Sequence, residues 1–402
     1  MKKLLISAWV LSAFAVIADP GTPSITSVST EAEDGHVKLV YSLPGSEAAI
    51  ITLAVTTGGK TYEAGETVGA VNRRVEAGSG LELHWYPKRE IPAGVYAATD
   101  ISFSLKVWSL STPPDYMAVS LRDPSCVRYY TSSNAVPSGV SDVRWKEDWM
   151  LLRRIPAKGV TWRAGCAAND YCWNVSEQNA TNGFQPLRYV TSSSDFYLGV
   201  YEVTQAQYMR LSGGVNPSAV QKGSFQTKAK HYALHQTDWK WHPAENITWM
   251  LANTAVTKLA TASGLSFCLP TPEEWEFAAR GETQWGTYNG SPHNPTCIAP
   301  IGVNYQTQNT YYGGAMDAGM HPEYACHIPV GQLRPNKYGL YDMVGNVGEW
   351  CAGWFDAAQT KRPIKGGDLH MSGEGLGVGY TRGLSADTAN FKYGFRVACA
   401  IP

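Results

Sequence analysis

The sequence predicts an all-β sandwich followed by an α+β domain with little regular secondary structure. Three observations lead to this fold class. Short β-rich runs separated by turn residues fill residues 19–125, three helices with recognisable caps begin after residue 200, and long stretches without periodicity surround those helices. At 402 residues, and with a prior of roughly 150 residues per domain, the chain has room for two or three domains.

Residues 1–18 have the layout of a secretory signal peptide. Lys2 and Lys3 precede an apolar run over residues 4–17, and Val16 with Ala18 forms a small-residue pair suited to cleavage after Ala18. A membrane anchor is the alternative, although the run is shorter than the ~20 residues that a span requires. We therefore expect a secreted, periplasmic or cell-surface protein without a membrane span.

Residues 19–125 are predicted to form the sandwich. Alternating or β-rich runs recur there at short spacing with glycine-containing turns between them and no helical period. We expect a spacer or adhesion module, since this part holds no cluster of catalytic residue types. Residues 126–149 are rich in Ser, Asn, Pro and Gly and are predicted to be a linker to a second domain at residues 150–402.

The helices of the second domain are predicted from their caps. Thr204 with Gln207 forms a capping box, Thr248 precedes a helical run that Gly264 ends, and Thr271 precedes a proline and a glutamate at the first and third helical positions. Residues 282–337 and 352–393 lack periodicity, and loops of such length are usually functional.

Charge and cysteine content exclude several classes of function. The chain has 33 basic and 34 acidic residues without a polybasic run, so nucleic acid and anionic membranes are not expected partners. Its eight cysteines suit up to four disulfides in an oxidising compartment, and Cys166 with Cys172 is a plausible local pair. No C-x-x-C pair is present, so zinc ribbons and thioredoxin-like proteins have no support.

Four sequence blocks occur in the order found in one known family. They are 195–208, 269–281, 394–397 and above all 338–350, which reads Tyr-Gly-Leu-Tyr-Asp-Met-Val-Gly-Asn-Val-Gly-Glu-Trp. Together they resemble the formylglycine-generating enzyme (sulfatase-modifying factor) family. The resemblance implies a C-type-lectin-like α+β fold for residues 150–402. It also suggests a disulfide between Cys351 and Cys399, since each adjoins one of these blocks.

The resemblance also implies calcium. Asparagine, glutamate and backbone carbonyl oxygens form the oxygen-only shell that this ion prefers. The expected ligands of a first site are Asn346, Glu349 and the carbonyls of Val344 and Val347, and those of a second site are Asn304 and Asp317. The alternative is that Asn346 caps a turn and Glu349 pairs with Arg396.

The copper centre of the family is not expected here. Family enzymes hold copper(I) with two cysteines that follow an Arg-Gly-Gly-Ser block, and thiolates are the soft ligands which that ion prefers. The matching block is 365–368, and the cysteine positions hold Met371 and Leu376. A structural cysteine pair of the family is also replaced, by Ala279 and Thr381.

These observations predict a non-catalytic binding module for a protein, peptide or glycan. We expect its ligand at the loops 282–337 and 366–379, with His370, Met371, Glu374 and the exposed Trp354 as contacts. The alternative for the glycine-rich loop is a solvated surface segment. The alternative function is a formylglycine-generating oxidase that acts on a sulfatase cysteine with an unusual centre.

One histidine group gives a weaker hypothesis of metal binding. His231 and His235 lie four residues apart, as metal-ligating pairs on a helix do, and His242 follows with Asp238 between them. The neighbouring tryptophans and a proline after His242 favour a loop instead.

Overall fold

The computed structural model describes residues 21–30, 36–87, 101–165, 187–219, 238–281, 327–332, 335–368 and 377–401, together with the backbone of residues 183–184 and 303–304. These form two compact units. The first comprises Met1–Ala118 and Cys126–Asp142 with the last two residues, and the second Val119–Ser125 and Val143–Ala400. Among the described residues no helix has the length and hydrophobicity needed to cross a membrane. The predicted signal peptide lies outside the described residues.

The first unit is the β-sandwich predicted from the sequence. One sheet has the strand order β1-β2-β7-β5, and in the other β3 pairs with β4, β6 and β8. Side chains alternate between buried and partly exposed along β2, and the buried set includes Leu39, Tyr41 and, from β7, Trp85. The strands are β1 (Ser24–Thr30), β2 (Val37–Leu43), β3 (Ala49–Thr57), β4 (Lys60–Ala64), β5 (Thr67–Gly69), β6 (Arg73–Val75), β7 (Gly78–Trp85) and β8 (Ile101–Trp108).

The segment 126–149, predicted to be a linker, contains regular structure, and the boundary between the two units falls within it. It contains β10 (Val127–Tyr130) and two short 3₁₀ helices, Ser133–Ala135 and Val143–Lys146, and follows β9 (Tyr116–Ser120). Tyr129, Tyr130 and Trp145 are buried. Burial of these aromatic rings outweighs the local turn composition on which the prediction rested.

In its described residues the second unit combines short strands with three α-helices, which confirms the α+β prediction. Its strands β11, β15, β23 and β16 lie side by side in one sheet, and β13-β21-β20-β19-β22 form another. The strands are β11 (Trp149–Ile155), β12 (Thr161–Ala164), β13 (Gly183–Phe184), β14 (Arg188–Thr191), β15 (Phe196–Gly199), β16 (Phe267–Cys268), β17 (Val303–Asn304), β18 (Val344–Gly345), β19 (Gly348–Trp350), β20 (Arg362–Lys365), β21 (Tyr380–Leu384), β22 (Tyr393–Phe395) and β23 (Ala398–Ala400).

The three helices begin at the predicted caps. They are α1 (Gln205–Ser212), α2 (Trp249–Ser263) and α3 (Pro272–Arg280). The capping boxes of Thr204 with Gln207 and of Thr271 with Glu274 are both complete. Gly264 ends α2 with φ near +70°, a conformation that glycine adopts without the strain of a Cβ atom.

The predicted disulfide between Cys351 and Cys399 is wrong. Both cysteines are buried free thiols. Cys126, which is partly exposed, and Cys268, which is exposed, are also free thiols. Cys351 follows β19 in one sheet, whereas Cys399 lies on β23 in another sheet. The Cys166–Cys172 prediction lies outside the described residues.

Candidate functional site

A buried ion pair between Glu349 and Arg396 lies where the four family-like blocks meet. The Arg396 guanidinium donates to both carboxylate oxygens of Glu349 at 2.8–3.2 Å, and its remaining hydrogens reach the carbonyls of Gly199 and Tyr341 at 2.8 Å. The indole Nε1 of Trp275 donates to the same carboxylate at 2.7 Å. The structure therefore adopts the arrangement considered as the alternative to a calcium site, in which Glu349 pairs with Arg396.

Asn346 is held by other groups and is not directed at Glu349. Its φ of +58° places it in the left-handed region, where asparagine is tolerated. Its Oδ1 accepts from the backbone N–H of Ile328 at 3.0 Å, and its Nδ2 donates to Glu202 at 2.6 Å. Since both ends of the amide are engaged, Asn346 and Glu349 do not fit a shared calcium ion in this arrangement.

Two buried acids beside this pair were missed from the sequence. Burial raises the pKa of Glu202 well above its ordinary value, and the nearby Asp342 and Glu349 carboxylates raise it further. Burial also raises the pKa of Asp342 to about 6, while the N–H of Gly331 and the charge of Arg396 act in the opposite direction. Both acids stand among apolar neighbours inside the family-like blocks 195–208 and 338–350. An acidic residue in an otherwise apolar block is the sequence signal that could have identified them.

Asp342 differs from the other acids because one of its oxygens has no hydrogen-bond partner. Its Oδ2 accepts from the Gly331 N–H at 2.6 Å, but Oδ1 is buried and unpaired within the described part of the chain. A buried carboxylate oxygen without a donor is costly. Asp342 is therefore better suited than Asn346 to provide an oxygen to a hard cation.

The block 365–368 contributes a second buried ionic network. The Lys365 ammonium donates to Glu276 at 3.0 Å and to the Thr381 hydroxyl at 3.1 Å, and Arg280 donates to Glu276 at 2.6 Å. Burial acts to raise the pKa of Glu276, but the two cations outweigh it and hold that pKa below its ordinary value. Thr381 and Ala279 stand where the family's structural cysteine pair was expected. Both are buried, Thr381 in this polar network and Ala279 in the apolar core.

Of the predicted ligand contacts, the structure describes only Trp354. Its side chain is 41% exposed and stacks on Arg362. His370, Met371 and Glu374 lie outside the described residues. For the predicted metal ligands, Val344 and Val347 are fully buried, and the backbone of Asn304 pairs with Gly345 across β17 and β18. Asp317 lies outside the described residues.

His242 contacts a histidine that the sequence hypothesis did not include. Its Nδ1 lies 2.8 Å from the Nδ1 of His327, and both rings are buried. Asp238 approaches the outer nitrogen of His242 at 3.8 Å, and Glu245 that of His327 at 3.7 Å. These side chains do not converge on one point, and within the described ranges no three His, Cys, Asp or Glu residues are placed to hold a metal. His231 and His235 lie outside those ranges.

Cys351 and Cys399 are buried thiols with raised pKa values. Burial raises the pKa of Cys351 well above its ordinary value and that of Cys399 to about 12. A thiol with a raised pKa carries little of the thiolate form that binds soft metals and reacts with oxidants. Cys351 and Cys399 are therefore held in the thiol form.

Comparison with known proteins places this geometry in a family. Residues 153–401 match the sulfatase-modifying factor enzyme 1-like domain. The chaperone protein LppX of Paenibacillus barcinonensis is 32% identical over 235 residues, which are 51% of this chain and 80% of that protein. The inactive C-alpha-formylglycine-generating enzyme 2 of Bos taurus is 36% identical over 140 residues, or 32% of this chain and 43% of that protein. The chain thus spans less than half the length of the bovine relative.

Two further comparisons concern an enzyme and a solved structure. The formylglycine-generating enzyme of Mus musculus is 26% identical over 234 residues, covering 48% of this chain and 59% of that enzyme. The structure of Treponema denticola variable protein 1 aligns with 63% of this chain and 96% of its own, at 21% identity and a TM-score of 0.45. The family match covers well over half of the sequence, and the chain belongs to the sulfatase-modifying factor enzyme 1-like family.

Proposed function

We propose that this protein is an exported, non-catalytic member of the family that binds a protein, peptide or glycan. The observation that carries the proposal is the chemistry of the missing thiols. Met371 and Leu376 occupy the positions expected for the copper-holding cysteines, and a thioether or an alkyl group cannot supply a redox-active thiolate. The relative named as an inactive formylglycine-generating enzyme supports a catalytically silent member.

A formylglycine-generating oxidase is the second candidate function. It is favoured by the family match and by the similarity to enzymes of that name. The two functions are separated by incubating the purified, copper-loaded protein with a cysteine-containing sulfatase peptide and measuring the aldehyde product by mass spectrometry. We expect no aldehyde, and turnover above that of a Met371→Ala variant would overturn the non-catalytic proposal.

Calcium binding is proposed with Asp342 as a side-chain ligand. Its unpaired Oδ1 supplies an anionic oxygen, and the turn 343–347 supplies carbonyls of the kind that calcium selects. A bound calcium would compensate the negative charge of this acidic cluster.

Thermal unfolding with and without calcium tests this assignment. A ligand that binds only the folded state raises the midpoint of unfolding, by roughly 2.7 kcal/mol at a hundredfold excess over its Kd. We expect calcium to stabilise the wild type and to have little effect on Asp342→Asn. The Asp356→Asn variant removes an exposed carboxylate of the same domain and is the matched control. An equal response of Asp342→Asn and the wild type would exclude Asp342 as a ligand.

Export is proposed from the layout of residues 1–18. Expression of the full chain in a bacterium, followed by mass spectrometry of the protein in each fraction, tests it directly. We expect a mature form that begins at Asp19 outside the cytoplasm, whereas a full-length cytoplasmic protein would contradict export.

A further inference from the structure

An arginine lies between two tryptophans on the surface of the second unit. The guanidinium carbon of Arg362 is 3.7 Å from the ring centroid of Trp249 and 3.2 Å from that of Trp354. Trp249 opens helix α2 and anchors its indole N–H on the carbonyl of Cys351 at 2.9 Å. Arg362 opens strand β20. The three side chains form a cation–π stack built on two regular elements.

Within the described residues, no acidic side chain pairs with Arg362. Its Nη1 donates to the carbonyl of Gly353 at 2.7 Å, while Nε is buried without a hydrogen-bond partner in the described part of the chain. Partial burial lowers the pKa of Arg362. A guanidinium that is held between two aromatic rings, and that no carboxylate occupies, is oriented to bind an anion. Its planar set of N–H donors matches the two oxygens of a carboxylate.

The elements that carry this stack also expose apolar side chains. Trp354 and Leu251 are each 41% exposed, and Met250, beside Trp249 in the first turn of α2, is 61% exposed. We call Trp249, Met250, Leu251, Trp354 and Arg362 together the Trp354 surface. Its composition is that of an interface centre, where Trp, Met and Arg are enriched and acidic residues are depleted.

Bracing of the 351–361 segment explains only part of this arrangement. The stack of Arg362 on Trp249 and the bond to Gly353 would hold that segment without further residues. Bracing leaves unexplained why the outer tryptophan and two aliphatic side chains of α2 remain in water, where each exposed apolar group costs free energy. A surface that binds a partner accounts for both the unpaired cation and the apolar exposure.

We propose that the Trp354 surface binds a peptide segment of a partner protein that carries a carboxylate next to an apolar side chain. The inference rests on the proposed binding function and names the chemistry of its ligand. The carboxylate pairs with the Arg362 fork, and the apolar side chain packs on Trp354 and Met250. A peptide is favoured over a glycan because sugar rings use flat aromatic faces, whereas Met250 and Leu251 offer flexible aliphatic contacts.

The probe is a synthetic peptide array in which short sequences combine Asp or Glu with Leu or Phe. A second array replaces every Asp and Glu with Asn and Gln, and a third contains acidic oligosaccharides. The variants are Arg362→Gln, Trp354→Ala and Met250→Glu. The last adds a like charge at an exposed position and leaves the stack intact, so it reports on binding even if the other two variants unfold. Tyr189→Ala, at a side chain that is 74% exposed on β14, is the matched control.

We expect the wild type and Tyr189→Ala to bind the same acidic peptides, and each surface variant to bind them at least about tenfold more weakly, as at interface hot spots. Equal binding to the amide array would overturn the role of Arg362. Wild-type affinity in Met250→Glu would overturn the location. Binding of oligosaccharides instead of peptides would overturn the ligand class but leave the proposed binding function in place. Binding to none of the arrays would count against both.

Discussion

Replacing Glu349 with glutamine should destabilise the second domain by about 3–5 kcal/mol, the cost of breaking a buried ion pair from one side. The variant leaves the Arg396 guanidinium fully buried with only neutral hydrogen-bond partners, at the point where the Gly199 and Tyr341 carbonyls and the Trp275 indole meet. In a domain of this size each kcal/mol of destabilisation lowers the unfolding midpoint by about 2–4 °C, so we expect a fall of roughly 6–20 °C.

Calorimetry of the full chain in EDTA measures this effect, because the chelator removes any contribution from bound calcium. Glu273→Gln is the control, since it breaks the exposed pair of Glu273 with Arg188, in which the side chains are 42% and 38% accessible. Exposed pairs contribute at most about 1 kcal/mol. If the two variants melted at the same temperature, the Glu349–Arg396 pair would not be what joins the four blocks.

Three further predictions follow from buried or capping groups. Burial lowers the pKa of His242 to about 4 from 6.5, so its neutral form stabilises the folded state above pH 6.5 and that contribution, roughly 3 kcal/mol, is lost as the pH falls toward 4. The pH dependence of urea unfolding should therefore be flatter in His242→Gln. Thr271→Ala should cost about 1 kcal/mol of unfolding free energy, because it removes the cap of α3. Lys365→Met should cost about 3 kcal/mol, because it leaves a buried carboxylate with one cation fewer.

Each of these variants has a control and a contrary result. His84→Gln changes a partly exposed histidine. If the pH dependence of urea unfolding flattened equally in that variant, burial of His242 would not be its cause. Thr257→Ala changes an exposed mid-helix threonine of α2 and should leave the midpoint of thermal unfolding nearly unchanged. A loss as large as that of Thr271→Ala would contradict the capping argument. Lys361→Met removes a nearby, partly exposed lysine, and a loss equal to that of Lys365→Met would show that burial of the charge does not matter.

The sequence predicted features that depend on neighbours along the chain. The caps of Thr204 and Thr271 are confirmed because a capping box is defined within four residues. The alternation of β2 likewise follows from the two-residue period of a strand. The burial of Tyr129 and Tyr130 in the predicted linker depends on contacts that turn composition does not record.

Contacts between distant residues were beyond the sequence patterns. The Asn346 amide meets Glu202 across 144 residues, and His242 meets His327 across 85. Periodicity carries no information about such pairs, and the pairing of Glu349 with Arg396 was named only as the alternative to a calcium site. The stack of Arg362 between Trp249 and Trp354 had no resemblance to suggest it, although Trp354 itself was named as an exposed contact.

In the described residues, ionic contacts and not disulfides join the four blocks of this scaffold. The four blocks converge on the Glu349–Arg396 pair, and the block that would precede the copper ligands is fixed by Lys365 and Glu276. In these networks the arginine side chains bind the backbone of neighbouring segments directly, at Gly165, Gly199 and Tyr341.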